Sequence, residues 1–588
     1  MSQAIAPPTT SAPEAPGKSS SRTGSSTTGS PTTGRPTTGA RRRDRVPLLL
    51  LLGVVAQVLA RLWLARARTG PVANPDESAY LTGARWLAGG PSADFTHHTF
   101  YQAGYPLLLS PLRWFSHDPA TVYTGVIVIN ALIGAALFPL GFAALRRFGV
   151  GRRAALPLAF AAALLPASTF FGMFALTDAV LPVLALGWLL LLDRFVRTRR
   201  PLDGALASLV AGYTCFTHSR GEIVLAVHVL ALLATRRRAM WAGLVTAAAG
   251  FLAASSANGA LRRSMYPGGA RDLAQLLQDR VTSASGQAWT LSGTFGQLWY
   301  LVVGTWGLAG IGLVAALAAL AHKNTRLMAG VLLTTTFGIA YASEAALPDE
   351  HRVGNFAYGR YLALLALVYV LIALAVLVRA TSRAVLGAAV AGLLITAETG
   401  GTVLLYAGDR LRTHQYIGFD FPEISFLTQN RTELRLVAAT LVAAGMLAVL
   451  LAALFATRRA GGGLVVAVLL LTANMAAMTY IAGDGKRVTP GSPLPAASER
   501  GGVVVDRSVN WMARTRLVDP VWWTRIGWID AAREAPARGV CTVVVPAGTA
   551  GAPAERTWPG HPSGWLTHTG GYGEGRWVAW YDPSCGTA

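Results

Sequence analysis

The sequence predicts an all-α polytopic membrane protein of about thirteen transmembrane helices, followed by a small extracytoplasmic α/β domain. Three observations predict this class. The 588 residues have a mean hydropathy of +0.42 and only 14% are charged, which is too apolar for an ordinary soluble protein. Apolar runs of bilayer-spanning length recur between residues 46 and 482. Between residues 483 and 588 they give way to short strand-like runs, so we expect a separate C-terminal domain there.

Residues 1–45 are predicted to form a disordered cytoplasmic tail. They are rich in Ser, Thr, Pro and Gly and have few large apolar side chains, so they cannot bury enough surface to fold. The basic cluster at residues 41–45 precedes the first apolar run. Such a cluster keeps the N-terminus in the cytoplasm, which makes the first helix, about 46–66, a retained membrane anchor.

The loops between the apolar segments alternate in charge. One set is basic: 146–153, 194–200, 236–238, 323–326, 379–383 and 458–459. The other set is acidic, long or poor in charge: 67–118, around Asp178, around Arg220, 258–297, 344–360 and 407–433. The positive-inside rule places the first set in the cytoplasm and the second outside, with the C-terminus extracytoplasmic. The net charge of +22 therefore reflects orientation in the cell membrane, and no nucleic-acid partner is expected.

The C-terminal region contains three strand-like runs, Gly502–Asp506, Val540–Val545 and Trp577–Tyr581. They predict a small α/β or β-rich domain packed on the membrane part. Cys541 and Cys585 both lie in this region, and spacing alone leaves open whether they form a disulfide or remain two thiols.

Two adjacent carboxylates, Asp76 and Glu77, follow the first apolar segment. One interpretation is structural: Asn74 caps a helix, Pro75 is its first residue, and Glu77 completes a capping box. The other is chemical, because an acid pair at the level of the lipid headgroups can take a proton from a hydroxyl. Repulsion between the two carboxylates would raise the proton affinity of at least one of them.

A short helix is predicted after this pair. Tyr80, Ala84 and Leu87 share one helical face, and Gly89 then ends the helix. The pattern suggests a helix lying on the membrane surface, with Tyr80 and Trp86 as interfacial aromatic residues.

Arginines in the external loops are the candidates for binding a phosphate, because a guanidinium can hold two phosphate oxygens at once. Arg220 lies between two apolar segments, and Arg360 is flanked by Tyr358 and Tyr361, which could pack against a sugar or an apolar chain. Two plainer alternatives stay open: Arg220 could pair with Glu222, and Arg360 could extend its charge to the membrane surface.

The start of the chain resembles a known family. The residues that carry the resemblance are the turn Pro75–Tyr80, the run Gly104–Leu108 and a second helix containing Asn130. They look like the start of the polyprenyl-phosphate-dependent glycosyltransferases of the GT-C fold, which include protein O-mannosyltransferases and bacterial aminoarabinose transferases. The resemblance implies an inverting enzyme of the cell envelope that moves a hexose or pentose from a polyprenyl-phosphate donor in the membrane lipid. The acceptor would be a hydroxyl of a glycan, a lipid or, in protein glycosylation, a protein.

The resemblance also implies roles for single residues. Asp76 corresponds to the base that acts on the acceptor hydroxyl, and Glu77 to the adjacent acid that shapes the site. Asp178 is the candidate for a further acid in the cavity, although an acid at a helix start is also a simple cap. Tyr80 and Tyr105 are further candidates for substrate contact.

No cofactor is expected, because a lipid-phosphate donor carries its own leaving group and no Gly-rich phosphate loop follows a strand. Asp76, Glu77 and Asp178 could hold a divalent ion, but the first external loop has no Asp-x-Asp pair, and we expect no metal. Two other functions stay open: a lipid or polysaccharide transporter or flippase, and a non-catalytic scaffold for envelope assembly. The sugar, the acceptor and the oligomeric state are not predicted.

Overall fold

The computed structural model describes residues 45–458, 461–483, 494–495, 501–549, 553–572 and 575–586. The predicted tail lies outside the described residues, apart from residue 45.

A bundle of long helices forms the membrane part. Its helices are Val46–Ala65, Pro119–Ala135, Leu137–Arg147, Arg152–Ala162, Pro166–Thr169, Leu181–Thr198, Pro201–Thr217, Arg220–Thr235, Met240–Met265, Ala284–Val303, Leu308–Ala319, Arg326–Ala345, Ala363–Arg379, Ser382–Ala407, Leu436–Thr457 and Gly462–Ala482. Shorter helices lie in the loops: Asp76–Leu87, Gly104–Leu109, Leu112–Phe115, Leu273–Thr282, Gly354–Ala357, Arg410–Thr413 and Pro422–Thr428. Single 3₁₀ turns occur at Phe171–Met173, Thr177–Ala179, Gly359–Leu362 and Gly418–Asp420. The first helix agrees with the predicted range 46–66.

Eight of the described helices are long and apolar enough to cross a membrane, and two bent pairs bring the number to ten if each pair is one span. The sharper bend, 114°, falls where Gly307 has φ 82°, a left-handed conformation that favours glycine. The predicted number of about thirteen spans is not confirmed. The difference lies in Leu181–Thr198, Pro201–Thr217 and Arg220–Thr235, which have 18, 17 and 16 residues and fall short in length or apolar character.

Loops that were predicted to share a side of the membrane are in contact with one another. In the basic set, Arg147 forms an ion pair with Asp193 at 2.7 Å, and Arg379 donates a hydrogen bond to the carbonyl of Phe148. The loops of the other set meet at the candidate site described below. Several loops of each set are therefore neighbours in space.

The C-terminal residues form a five-stranded sheet. Its strands are β1 Gly502–Asp506, β2 Gly527–Ile529, β3 Val540–Pro546, β4 Leu566–Tyr572 and β5 Gly575–Tyr581, in the order β2-β1-β3-β5-β4. The strand β1 pairs in parallel with β2 and β3, while β5 pairs antiparallel with β3 and β4. The helix Trp511–Leu517 and the 3₁₀ turns Ala554–Thr557 and Pro583–Gly586 complete this region, and Cys541 is bonded to Cys585. Strands β2 and β4 were not predicted.

Buried polar contacts join this C-terminal region to the first external loop. Arg113 and Asp519 form an ion pair at 3.0 Å with both side chains almost fully buried. Arg85 donates hydrogen bonds to the carbonyls of Val518 at 3.1 Å and Val521 at 2.6 Å. Because Arg85 belongs to the helix Asp76–Leu87, the C-terminal region helps to hold that helix in place.

The helix Asp76–Leu87 is buried within the protein over most of its length. Residues 77–85 are all buried, and Tyr80 is only 2% exposed. Tyr80 packs in the core under the site, and Trp86 packs against a core that includes residues of the C-terminal sheet. The prediction of an interfacial Tyr80 was wrong, because neighbouring segments bury its side chain, whereas Trp86 is partly exposed.

Candidate active site

Four predicted residues from four separate segments meet at one end of the helical bundle: Asp76, Asp178, Arg220 and Arg360, referred to below as the charged cluster. Asp76 and Arg220 are the first residues of their helices, and Asp178 and Arg360 lie in short 3₁₀ turns that precede helices. Helix starts at one end of a bundle bring side chains together that are far apart in sequence. The cluster therefore lies where the predicted external loops converge.

Arg360 is the central cation of the cluster. Its Nη1 atom lies 3.0 Å from Oδ2 of Asp76, while its Nε and Nη2 atoms lie 2.9 and 2.8 Å from Oδ2 of Asp178. The guanidinium also lies over the ring of Phe171, with 5.4 Å between its carbon and the ring centroid. Arg360 thus bridges the two carboxylates and does not merely extend its charge to the membrane surface.

Arg220 completes the cluster from the other side of Asp178. Its Nη2 atom lies 3.1 Å from Oδ1 of Asp178, and its Nη1 atom donates to the carbonyls of Arg360 and Tyr361, each at 3.3 Å. The alternative in which Arg220 pairs with Glu222 is not observed. A cation at this depth requires a counter-charge, and Asp178 supplies it.

Asp178 is held as a carboxylate by the two arginines. Burial by itself would raise the pKa of Asp178, but Arg360 and Arg220 outweigh that effect and lower the pKa below its usual range. The side chain is only 3% exposed. Asp178 therefore fixes the two guanidinium groups relative to each other. Its function is not limited to capping a helix.

His218 is a member of the site that sequence analysis did not identify. Its Nδ1 atom accepts a hydrogen bond from the backbone N–H of Arg220 at 3.1 Å. Burial and the charge of Arg220 lower the pKa of His218 well below its usual value, so the ring is a neutral acceptor. A His two residues before an Arg is a weak signal without knowledge of the turn between them.

Asp76 is the most accessible carboxylate of the cluster, with a side chain that is 29% exposed. Its Oδ1 atom accepts a hydrogen bond from the hydroxyl of Tyr101 at 2.7 Å, and its Oδ2 atom contacts Arg360. Both contacts fix the orientation of the carboxylate. Tyr101 belongs to the same predicted loop, but nothing in its spacing identifies Asp76 as its partner.

Glu77 lies next to Asp76 in sequence but its carboxylate has different contacts. It is fully buried and accepts hydrogen bonds from the backbone N–H groups of Val72, Ala73 and Ala175, at 2.6 to 2.7 Å, and from the hydroxyl of Tyr123 at 2.6 Å. Burial raises the pKa of Glu77, while these hydrogen bonds lower it. Its four donors make Glu77 a link between the first external loop and the segment that leads to Asp178.

The helix start differs from the predicted capping box. The helix begins at Asp76, its N-cap is Pro75, and the side chain of Pro75 makes no cap. Asn74 instead accepts a hydrogen bond from the hydroxyl of Ser78. One part of the predicted capping box is observed: the carboxylate of Glu77 accepts hydrogen bonds from backbone N–H groups that precede the helix.

The four tyrosines predicted to contact substrate occupy two kinds of position. Tyr80 and Tyr105 are buried at 2% and 0% exposure, and the hydroxyl of Tyr105 donates to Oδ1 of Asn130 at 2.9 Å. These two side chains pack in the core below the first external loop and do not line an open surface. Tyr358 and Tyr361 lie beside the charged cluster, with ring centroids 4.6 Å apart, and Tyr361 is partly exposed.

No protein-family model matches this chain, and no curated protein matches it in sequence. Among solved structures, ArnT from Cupriavidus metallidurans bound to undecaprenyl phosphate is similar over 92% of this chain and 98% of that chain, with a TM-score of 0.53 and 14% identity. The apo state of the same protein gives a TM-score of 0.52 and 15% identity over 92% and 99% of the two chains. This chain has the GT-C fold. A weaker likeness, with a TM-score of 0.40 and 13% identity over 84% and 67% of the chains, is to the Archaeoglobus fulgidus oligosaccharyltransferase in complex with Zn and sulfate.

A second group of charged side chains, Glu350, Arg352 and Asp420, borders the charged cluster in this GT-C fold. Arg352 lies between Glu350 and Asp420, with Nη2 3.3 Å from Oε2 of Glu350 and Nη1 3.9 Å from Oδ2 of Asp420. Burial raises the pKa of Asp420 to about 6, although Arg352 lowers it. Sequence analysis placed all three residues in external loops but did not single them out as site residues, because acids and arginines are common in such loops.

The acids that were considered as a metal-binding set do not converge on one point. Asp76 and Asp178 share the guanidinium of Arg360 between them, and Glu77 is directed to other partners. The cation that the two carboxylates hold is therefore an arginine side chain.

Proposed function

We propose that this chain is a membrane glycosyltransferase that moves a sugar from a polyprenyl-phosphate donor to an acceptor hydroxyl on the extracytoplasmic side. The observation that carries the proposal is the charged cluster, in which one accessible carboxylate lies 3.0 Å from a buried guanidinium. The reaction needs a base and a phosphate-binding cation side by side. The GT-C fold supports the reaction class, and the undecaprenyl phosphate bound to ArnT supports the donor class.

Asp76 is the base in this proposal. The acceptor hydroxyl gives its proton to the Asp76 carboxylate while its oxygen attacks the anomeric carbon of the donor sugar. The bond from that carbon to the phosphate oxygen breaks, and polyprenyl phosphate leaves with the electron pair. Attack opposite to the leaving group inverts the anomeric configuration. Tyr101 and Arg360 hold the carboxylate in the orientation that this step requires.

Arg220 and Arg360 are the proposed phosphate ligands. Both are largely buried, with side chains 4% and 10% exposed, so their charges are poorly screened by water. Asp178 is a positioning residue that holds the two guanidinium groups in place. Glu77 positions Asp76 through the backbone, so the proposed catalytic role passes from the acid pair to Asp76 alone.

The test is transfer of radiolabelled sugar by membranes of a deletion strain that carry the wild type, Asp76→Asn or Asp94→Asn. The donors are undecaprenyl phosphate linked to a hexose or to a pentose. Asp94 is a matched control, because it belongs to the same loop but accepts hydrogen bonds from Thr96 at 2.9 Å and Trp528 at 3.4 Å. We expect Asp94→Asn to keep its activity and Asp76→Asn to lose about 100-fold to 10,000-fold in rate.

Two results would contradict the proposal in different ways. Equal transfer by the wild type and Asp76→Asn would remove Asp76 as the base. If the wild type transferred neither sugar, although it is present at normal levels in the membrane, the transporter and scaffold alternatives would be favoured. Mass spectrometry of envelope glycans and proteins from the deletion strain would then identify what the chain handles.

A further inference from the structure

Two external loops bring three metal-ligating side chains together at a place outside the charged cluster. Asp349 and His351 belong to the predicted loop 344–360, and His414 belongs to the loop 407–433. One possible ligand atom of each residue lies within 4.8 Å of the ligand atoms of the other two. His351 Nδ1 is 3.6 Å from Oδ1 of Asp349, and the two histidine rings are 5.6 Å apart.

The backbone holds these side chains in place. The N–H of Gln415 donates to the carbonyl of His351 at 3.0 Å, and the N–H of Val353 donates to the carbonyl of Gln415 at 2.9 Å. The N–H of His351 also donates to Oδ1 of Asp349 at 3.0 Å. These bonds join the two loops where their histidines lie, so little ordering remains for a ligand to impose.

The donor set selects the kind of ion. Two imidazoles and one carboxylate suit Zn²⁺ and similar transition metals, while Ca²⁺ and Mg²⁺ prefer oxygen ligands alone. Asp349 and His351 are exposed and His414 is partly exposed, so an ion can enter from solvent and keep a position for water.

We propose that Asp349, His351 and His414 bind one divalent transition-metal ion, for which Zn²⁺ is the probe. The ion fastens the loop 344–360 to the loop 407–433. The first loop carries Arg352 and the second carries Asp420, so the ion closes the side of the candidate site on which these two residues lie. This site is separate from the catalytic residues, and its existence does not depend on the proposed glycosyl transfer.

The test is metal binding by the full chain in detergent, purified without a polyhistidine tag and treated with a chelator. Zn²⁺ binding is measured by calorimetry, and Co²⁺ binding by its visible absorption. The variants are His351→Asn and His414→Gln. His97→Asn is a matched control, because His97 is also exposed and also has a positive φ, 65° against 51° for His351, a conformation that Asn tolerates.

We expect the wild type and His97→Asn to bind one ion per chain and to gain thermal stability with Zn²⁺. His351→Asn and His414→Gln should bind at least about ten-fold more weakly and lose that gain, since even partners of metal ligands change affinity by this factor. Equal unfolding temperatures of all four proteins without metal will show that the variants are folded. His351→Cys supplies a different zinc ligand and should restore binding. Equal affinity of the wild type and both variants, or no binding by the wild type, would overturn the proposal.

Discussion

Replacing Asp178 by Asn removes the negative charge that Arg220 and Arg360 share. Asn has the same shape, but its amide oxygen cannot neutralise two guanidinium groups at distances of 2.8 to 3.1 Å. Both arginines would remain largely buried, and Arg220 would lose its charged partner. Removing one partner of a buried ion pair costs about 3 to 5 kcal/mol of stability, because the remaining charge is uncompensated. We expect a decrease of this size in the free energy of unfolding of Asp178→Asn.

The pH dependence of this effect has a definite sign. The pKa of Asp178 is lower in the folded protein than in the unfolded chain, so its contribution to stability is complete above the unfolded pKa. It is lost only as the pH falls through the folded pKa. The difference between the wild type and Asp178→Asn should therefore be constant from about pH 5 to about pH 8.

Thermal unfolding of the purified protein in detergent at both pH values is the assay. Asp193→Asn is the control, because Asp193 pairs with Arg147 and Arg197, whose side chains are 41% and 48% exposed. An exposed pair of this kind contributes about 1 kcal/mol or less. If Asp178→Asn lowered the unfolding temperature no more than Asp193→Asn, the shared-charge explanation of the cluster would be refuted.

Three further substitutions test other contacts of the site. Asp420→Asn should raise the unfolding temperature at about pH 8, because burial raises the folded pKa to about 6 and keeping the carboxylate ionised above that pH costs about 3 kcal/mol. At about pH 5 the rise should be about half as large, since the folded group is then protonated while the unfolded group is still ionised; an equal shift at both pH values would contradict this. Tyr101→Phe removes the hydrogen bond to Asp76 and should lower the transfer rate about ten-fold at unchanged unfolding temperature, whereas an unchanged rate would mean that Tyr101 does not orient the base. Glu77→Gln places an amide group among three backbone N–H donors and should lower the unfolding temperature. A variant that is as stable as the wild type but inactive would instead support the first prediction, in which Glu77 is a catalytic residue.

The sequence predicts the membrane bundle well because its signal is local. Apolar runs are read from neighbouring residues, and they locate the first helix, predicted at about 46–66 and observed at Val46–Ala65. The number of spans is harder to predict, because the consecutive helices Leu181–Thr198, Pro201–Thr217 and Arg220–Thr235 have only 18, 17 and 16 residues. They are apolar, but they are short for a span or carry several charged side chains.

The C-terminal sheet shows a similar limit. The three predicted strands are rich in Val or Trp, and their pattern stands out from the surrounding chain. Strand β2 has only three residues, and strand β4 contains Gly570 and Gly571, which weaken a strand pattern. Both strands exist because neighbouring strands pair with them, and single-sequence periodicity does not report such pairing.

The pairing of charges could not be predicted. Arg220 and Arg360 were identified individually as arginines of external loops, Asp76 as one of two adjacent acids, and Asp178 through the family resemblance. Sequence proximity offered Glu222 as one possible partner of Arg220, but the observed partner is Asp178. Because Asp76 and Glu77 are adjacent in sequence, they were predicted to act as a pair, but their carboxylates have different contacts. Partners of buried charges are set by where helices begin in space, and that information is not local.

In the proposed reaction, the formal charge of the cluster favours the transition state over the bound donor. Two carboxylates and two guanidinium groups sum to zero, so the resting cluster attracts a singly charged phosphodiester only weakly. When Asp76 takes the proton of the acceptor, the cluster becomes positive by one charge. The departing phosphate gains one negative charge in the same step. The attraction between cluster and phosphate is therefore strongest when the bond to the sugar breaks, and interactions that strengthen in the transition state are those that accelerate a reaction.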